Sequence, residues 1–305
     1  MQGGENSTVR SPAVAGTFYP AETERCTAAA HELMNFGRAQ MAGRAFPPLK
    51  GKAALGAIVP HAGWICSASI AAEAIAAVAA QAADIDLVVV FGAIHTPLPA
   101  EKGVLDSYGA WALPGGTSPI ATLLRDELAA LPSQFVVDDR FHQLEHAVEV
   151  ELPLVQVAWP RALVLPIEAP PNMLALEIGQ TVAARIAASG LSAIYLASSD
   201  LTHYGPNYRF APAGVGEAGL AWAMENDERL LRIVTDMTPE RIVPEVQARY
   251  NACGAGAIAA MMSACMAGGA SSAVVLRHAN SCQTLAAVAP QPPDNAVGYA
   301  AVWIG

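Results

Sequence analysis

Apolar runs of strand length alternate along this chain with longer Ala-rich segments whose apolar positions recur at helical spacing. Residues 55–59 predict a strand and 67–81 a helix, with Ser67 as its cap. Residues 87–91 are apolar throughout, the pattern of a strand covered on both faces. Ser118-Pro119 predicts the opening of another helix, because proline in the first turn gives up a donor that has no intrahelical partner. Strands at 162–167 and 193–197 flank a helix within 173–188. Helices at 215–234 and 254–266 follow, then closing strands at 273–276 and 297–304. The Pro- and Gly-rich stretch 96–116 reads as a covering loop.

This alternation predicts a layered α/β/α domain around a central mixed, largely parallel sheet. The last two strands are close in sequence and can add antiparallel edges. No repeat or linker interrupts the pattern, so residues 1–305 read as a single domain, long enough to bury its own core.

Charged residues are 14% of the chain, against about a quarter in typical domains, so small-residue packing dominates. The net charge of −10 and the scattered Lys and Arg leave no basic stripe, which argues against a nucleic-acid partner. Five cysteines without paired spacing fit reduced thiols and a cytoplasmic location. The opening Met1-Gln2-Gly3-Gly4 lacks the basic and apolar regions of a signal peptide. Residues 252–276 carry no charge, but Gly268-Gly269 and Ser271-Ser272 divide them into helix, turn and strand. No membrane partner is expected.

Metal-binding and proton-carrying side chains cluster where the apolar strands end. Pro60-His61-Ala62-Gly63 follows the first strand and Gly92-Ala93-Ile94-His95 the second. Ser198-Ser199-Asp200-Leu201-Thr202-His203 repeats the pattern after a third. Open α/β sheets bind ligands outside the carboxyl ends of their strands, so these groups can converge. Two histidines and a third ligand suit non-haem iron, zinc or copper. Asp200 and His203, three apart, would share a face on a helical turn, where a carboxylate could orient a proton-moving imidazole. The competing reading makes Asp200 a turn cap.

His142-Gln143-Leu144-Glu145-His146 spells H-x-x-E-H, the helix of inverted zinc peptidases, although so short a pattern also arises by chance. Cys253 precedes a predicted helix, whose N-terminus favours a thiolate that could bind metal or attack an electrophile. It could equally be a small buried hydrophobe. His31, in an early helix, and Cys66, Cys265 and Cys282 read as structural.

Taken in order, the pieces resemble the Memo family, known in bacteria as protein B of the AmmeMemoRadiSam system. The resemblance opens at Val9-Arg10-Ser11-Pro12-Ala13-Val14-Ala15-Gly16-Thr17-Phe18-Tyr19-Pro20. It runs through Pro60-His61-Ala62-Gly63-Trp64, Gly92-Ala93-Ile94-His95, Glu145-His146, Ser199-Asp200-Leu201-Thr202-His203 and Cys253-Gly254 to Ala296-Val297-Gly298-Tyr299-Ala300.

Memo proteins are similar in fold to class III extradiol dioxygenases, iron enzymes that open catechol rings with O2. The resemblance implies His61, His95 and Cys253 as metal ligands, Cys253 standing where the dioxygenases have a carboxylate. It implies His203 as acid–base residue, with His146 and Asp200 as further pocket residues. Iron(II) is the implied cofactor, and the soft thiolate shifts preference toward copper or zinc. The implied partners are a small aromatic substrate and O2. The alternative is a non-catalytic binding or adaptor protein of the Memo type with a vestigial metal pocket, which binds peptide or partners a radical-SAM and AMMECR-like system. Protein partners and a homodimer are further expectations. The chain departs from relatives with Ser-His-His near His95, with Ser at the position of Ala147, and with Arg-His-Pro after Cys-Gly, so its pocket is less polar.

Overall fold

The computed structural model describes residues 8–49 and 55–305. Its larger sheet has nine strands and is mixed. Four of them, Leu55–Val59, Ala193–Ser198, Leu87–Gly92 and Leu163–Glu168, lie side by side and parallel. Ala296–Ile304 adds antiparallel to Leu55–Val59 and carries Ala273–Asn280 and His203–Tyr204 on its other pairings. Gly103–Leu105 and Phe135–Val137 complete the opposite edge.

The strand residues alternate between two cores. Val88 and Val90 pack on one face with Leu196 and Trp303, under the helices Thr23–Met41 and Trp64–Ala79. Leu87, Val89 and Phe91 pack on the other, under Leu174–Ser189, Glu217–Thr235 and Ala255–Ala267. Both faces are therefore dry, which explains the unbroken apolar runs. The expected layered α/β/α arrangement is what the chain adopts.

Small residues let these layers close. Gly179 lies against the carbonyl of Ala260 and Gly256 against that of Pro170, positions where a methyl group would collide with backbone. The stretch 252–276 is a buried helix, a turn and the first half of a strand, and among the described residues no helix is long and apolar enough to cross a membrane.

Several expectations need correction. Ser118-Pro119 does not open a helix. It ends the strand Gly116–Pro119, which forms a hairpin with Ala110–Leu113 through Pro114-Gly115, with Gly115 at φ 101°. Proline is tolerated there because the strand is an edge of a separate three-stranded sheet. The helix follows at Thr122–Ala129. The stretch 96–116 is thus partly sheet, and Val9–Arg10 pairs parallel with its Ala110–Trp111. Ser67 is not a cap: the helix starts at Trp64, and the Ser67 hydroxyl donates back to the Ala62 carbonyl at 2.9 Å. The closing strand at 273–276 extends to Asn280.

Candidate metal centre

Register brings the chemistry together. Val59 pairs with Ser198, Ser198 with Gly92, and Gly92 with Glu168, so four strands end in one row at one edge of the sheet. The residues just past that row are His61, Asp200 and His95. Cys253 joins them from the other side, immediately before Gly254, which caps the helix Ala255–Ala267.

One ligand atom from each of His61, His95 and Cys253 lies within 4.8 Å of the others. The Cys253 sulfur is 3.3 Å from His61 Nε2 and accepts the Asp200 backbone N–H at 3.2 Å. The Gly254 N–H donates to Ser199 Oγ at 2.9 Å and pins the chain beside the cysteine.

The far nitrogen of each imidazole is already engaged. Ser198 Oγ donates to the Ala147 carbonyl at 2.6 Å, so its lone pair accepts a proton from His61 Nδ1 at 2.8 Å. That assigns the His61 proton to Nδ1 and turns a bare Nε2 toward Cys253. His95 Nδ1 meets Glu145 Oε1 at 2.8 Å, and the His95 backbone N–H donates to Glu145 Oε2 at 2.6 Å. Outer partners of this kind fix the tautomer and orientation of metal-binding histidines. The donor set fits a cation of the iron, copper or zinc group.

Electrostatics match the geometry. Burial, then repulsion from His95 and His146, lowers the His61 pKa, which keeps the ring neutral. At His95 burial pulls down, but hydrogen bonds with Cys253 and Glu145 outweigh it and push the pKa up to about 11. A bound cation would take the place of that proton. Burial raises the Glu145 carboxyl, yet hydrogen bonds from His146 and His95 reverse this and hold it well below the usual range.

His146 stacks on His95 with ring centroids 4.6 Å apart, and with Glu145 these two form a second group of converging ligand atoms. Phe18, from the opening segment, packs against the His146 ring at 4.8 Å. That segment is anchored by Arg10, whose guanidinium donates to the His142 and Glu145 carbonyls and to the buried Glu149 carboxylate.

His203 lies across the site. Burial, then repulsion from His95 and His146, lowers its pKa to about 4. Among the described residues its Nε2 has no hydrogen-bond partner. Asp200 is not beside it on a helical turn: the backbone is extended and His203 opens a strand. The Asp200 carboxylate is 3.9 Å from His203 Nε2, beyond a hydrogen bond, and instead accepts the His61 backbone N–H at 2.9 Å. A cavity of about 450 Å³ opens beside Cys253 and His203, walled by Tyr208, Phe210 and Tyr250.

H-x-x-E-H is not a metal-binding helix. Residues 142–148 are irregular, and His142 is fully buried with Nδ1 3.5 Å from Glu168. The roles of Ser198 and Glu145 escaped the sequence reading. The only signals were Ser198 at a strand end and Glu145 next to a histidine, and neither shows which ring it would face.

A layered α/β protein with two imidazoles and a thiol gathered at the carboxyl edge of its sheet is the class that fold and site define. Residues 10–303 match the Memo-like protein family. A MEMO1 family protein of Methanosarcina mazei is 32% identical over 300 residues, covering 96% of this chain and 98% of the relative. One from Pyrobaculum arsenaticum is 31% identical over 307 residues, with 96% and 98% covered. The chain belongs to the Memo family.

Proposed function

We propose that this protein is a metal-dependent oxidoreductase of the extradiol dioxygenase type, acting with O2 on a catechol-like substrate. The observation that carries this reading is the convergence of His61, His95 and Cys253, with the Nδ1 of both histidines tied back to Ser198 and Glu145. Iron(II) held there would stabilise developing negative charge and bring phenol and oxygen together.

The chain's own residues do the rest. His203, neutral near pH 7 and with an unpartnered Nε2, takes a proton from a phenolic hydroxyl and returns it later. Asp200 holds the His61 loop in place through its backbone. His146, partly exposed beside His95, donates to the substrate's oxygen atoms. Tyr208, Phe210 and Tyr250 present aromatic surfaces to the ring.

The test is anaerobic reconstitution with one equivalent of iron(II), followed by oxygen uptake across a panel of catechols. Uptake is expected, and Cys253→Ser should lose both iron and uptake. No uptake with any catechol at stoichiometric iron would sink the proposal.

A binding or adaptor role is the second reading. A groove of about 760 Å³ beside the site is lined by Phe18, Leu33, Phe36, Trp64 and Ile65, and Ile65 is 68% exposed. Capture of a partner protein that is unaffected by His61→Ala would favour that reading.

A further inference from the structure

We propose that the cavity beside Cys253 takes a phenol that carries a carboxylate, with Arg209 supplying the countercharge; this rests on the dioxygenase-type reading of the same site. The cavity wall runs from Cys253 and His203 past Tyr208 to Arg209, Phe210 and Tyr250. Its volume of about 450 Å³ suits a single-ring ligand.

Two features single out Arg209. First, Arg209 and Tyr250 adopt φ of 53° and 54°, and among the described residues only Met237 is a third non-glycine residue at positive φ. That conformation is disfavoured with a side chain, and such positions gather at ligand sites. Both border this one cavity. Arg209 closes the turn Pro206–Tyr208, its N–H donating to the Pro206 carbonyl at 3.1 Å. Second, among the described residues the Arg209 guanidinium makes no hydrogen bond or ion pair, and the cavity lining includes no carboxylate.

Charge completes the argument. A chain of net charge −10 repels anions at long range, so an anionic ligand needs a local cation. Guanidinium meets carboxylate in a planar, two-pronged fit. The aromatic wall is two contacting pairs, His203 with Tyr208 at 5.0 Å between centroids and Phe210 with Tyr250 at 5.6 Å, which together offer ring surface to a ligand beside them. His203 and Arg209 line the same cavity, one able to take a hydroxyl proton and the other to pair with a carboxylate.

The experiment compares binding of 4-hydroxybenzoate and its neutral counterpart 4-hydroxybenzyl alcohol to the full chain by calorimetry at low salt. The carboxylate should bind about tenfold tighter, a preference that shrinks as salt is added because Arg209 is exposed. Arg209→Gln should abolish the preference and leave the neutral ligand unaffected, while Arg209→Lys keeps part of it. Arg161→Gln, at the opposite end of the sheet, should change neither. Equal affinity for the two ligands, no binding of either, or a preference that survives Arg209→Gln overturns the proposal. Oxygen uptake is read separately. A carboxylate preference with no uptake on any catechol would defeat the dioxygenase reading alone, and uptake without the preference would defeat this inference alone.

Discussion

The Glu145 carboxylate gathers the ring and backbone N–H of His95 and the backbone N–H groups of His146 and Ala147. It thereby sets the direction of the His95 ring, a candidate ligand, and the position of the neighbouring His146. Glu145→Gln keeps the shape but replaces an anionic acceptor with a neutral one. Metal affinity should fall by about 10–100-fold, as read by competition with a chromogenic chelator. Unchanged affinity would mean that His95 is aimed by something else. At this scale the sequence was most informative about which side chains gather at the site and least about what steers them. His61, His95 and Asp200 were legible because each follows an apolar run whose end is visible. Ser198 was not, because its hydrogen bond to His61 depends on the register between strands far apart in the chain.

Close contact between Leu174–Ser189 and Ala255–Ala267 depends on Gly179, whose missing side chain admits the Ala260 carbonyl. Gly179→Ala should therefore destabilise the protein by about 1–3 kcal/mol despite its better helix propensity, measured as a lowered urea midpoint. A stabilised variant would show that the helices can slide apart at little cost. Helices and central strands were legible because their period is local and strong. The Gly116–Pro119 strand was not, since Ser-Pro carries the same signal at a helix start and at a sheet edge. Nor could 142–148 be resolved from its letters. The spacing allows a helix, but Arg10 holds the carbonyls of His142 and Glu145 from 132 and 135 residues away.

For the molecule as a whole, Glu168 ties stability to pH. It lies fully buried next to His142, and neither carboxyl oxygen has a hydrogen-bond partner among the described residues. Burial, then the Glu145 charge, raises its pKa well above the ordinary 4.5. The folded chain thus keeps a proton that the unfolded chain releases, and stability falls as pH rises above about 4.5. The slope from this one group approaches about 1.4 kcal/mol per pH unit. Glu168→Gln cannot ionise, so its urea midpoint should decline less between pH 5 and 8. Parallel declines in both proteins would place the proton elsewhere, with the similarly buried Glu151 as the next candidate.

The converging donors stand at positions 61, 95 and 253 of 305. During synthesis the first two emerge long before the third. Of this donor set a partly made chain can therefore offer an ion only the two imidazoles, and the thiol follows them by more than 150 residues. An ion held by all three donors could be bound only after residue 253 has been made, late in synthesis.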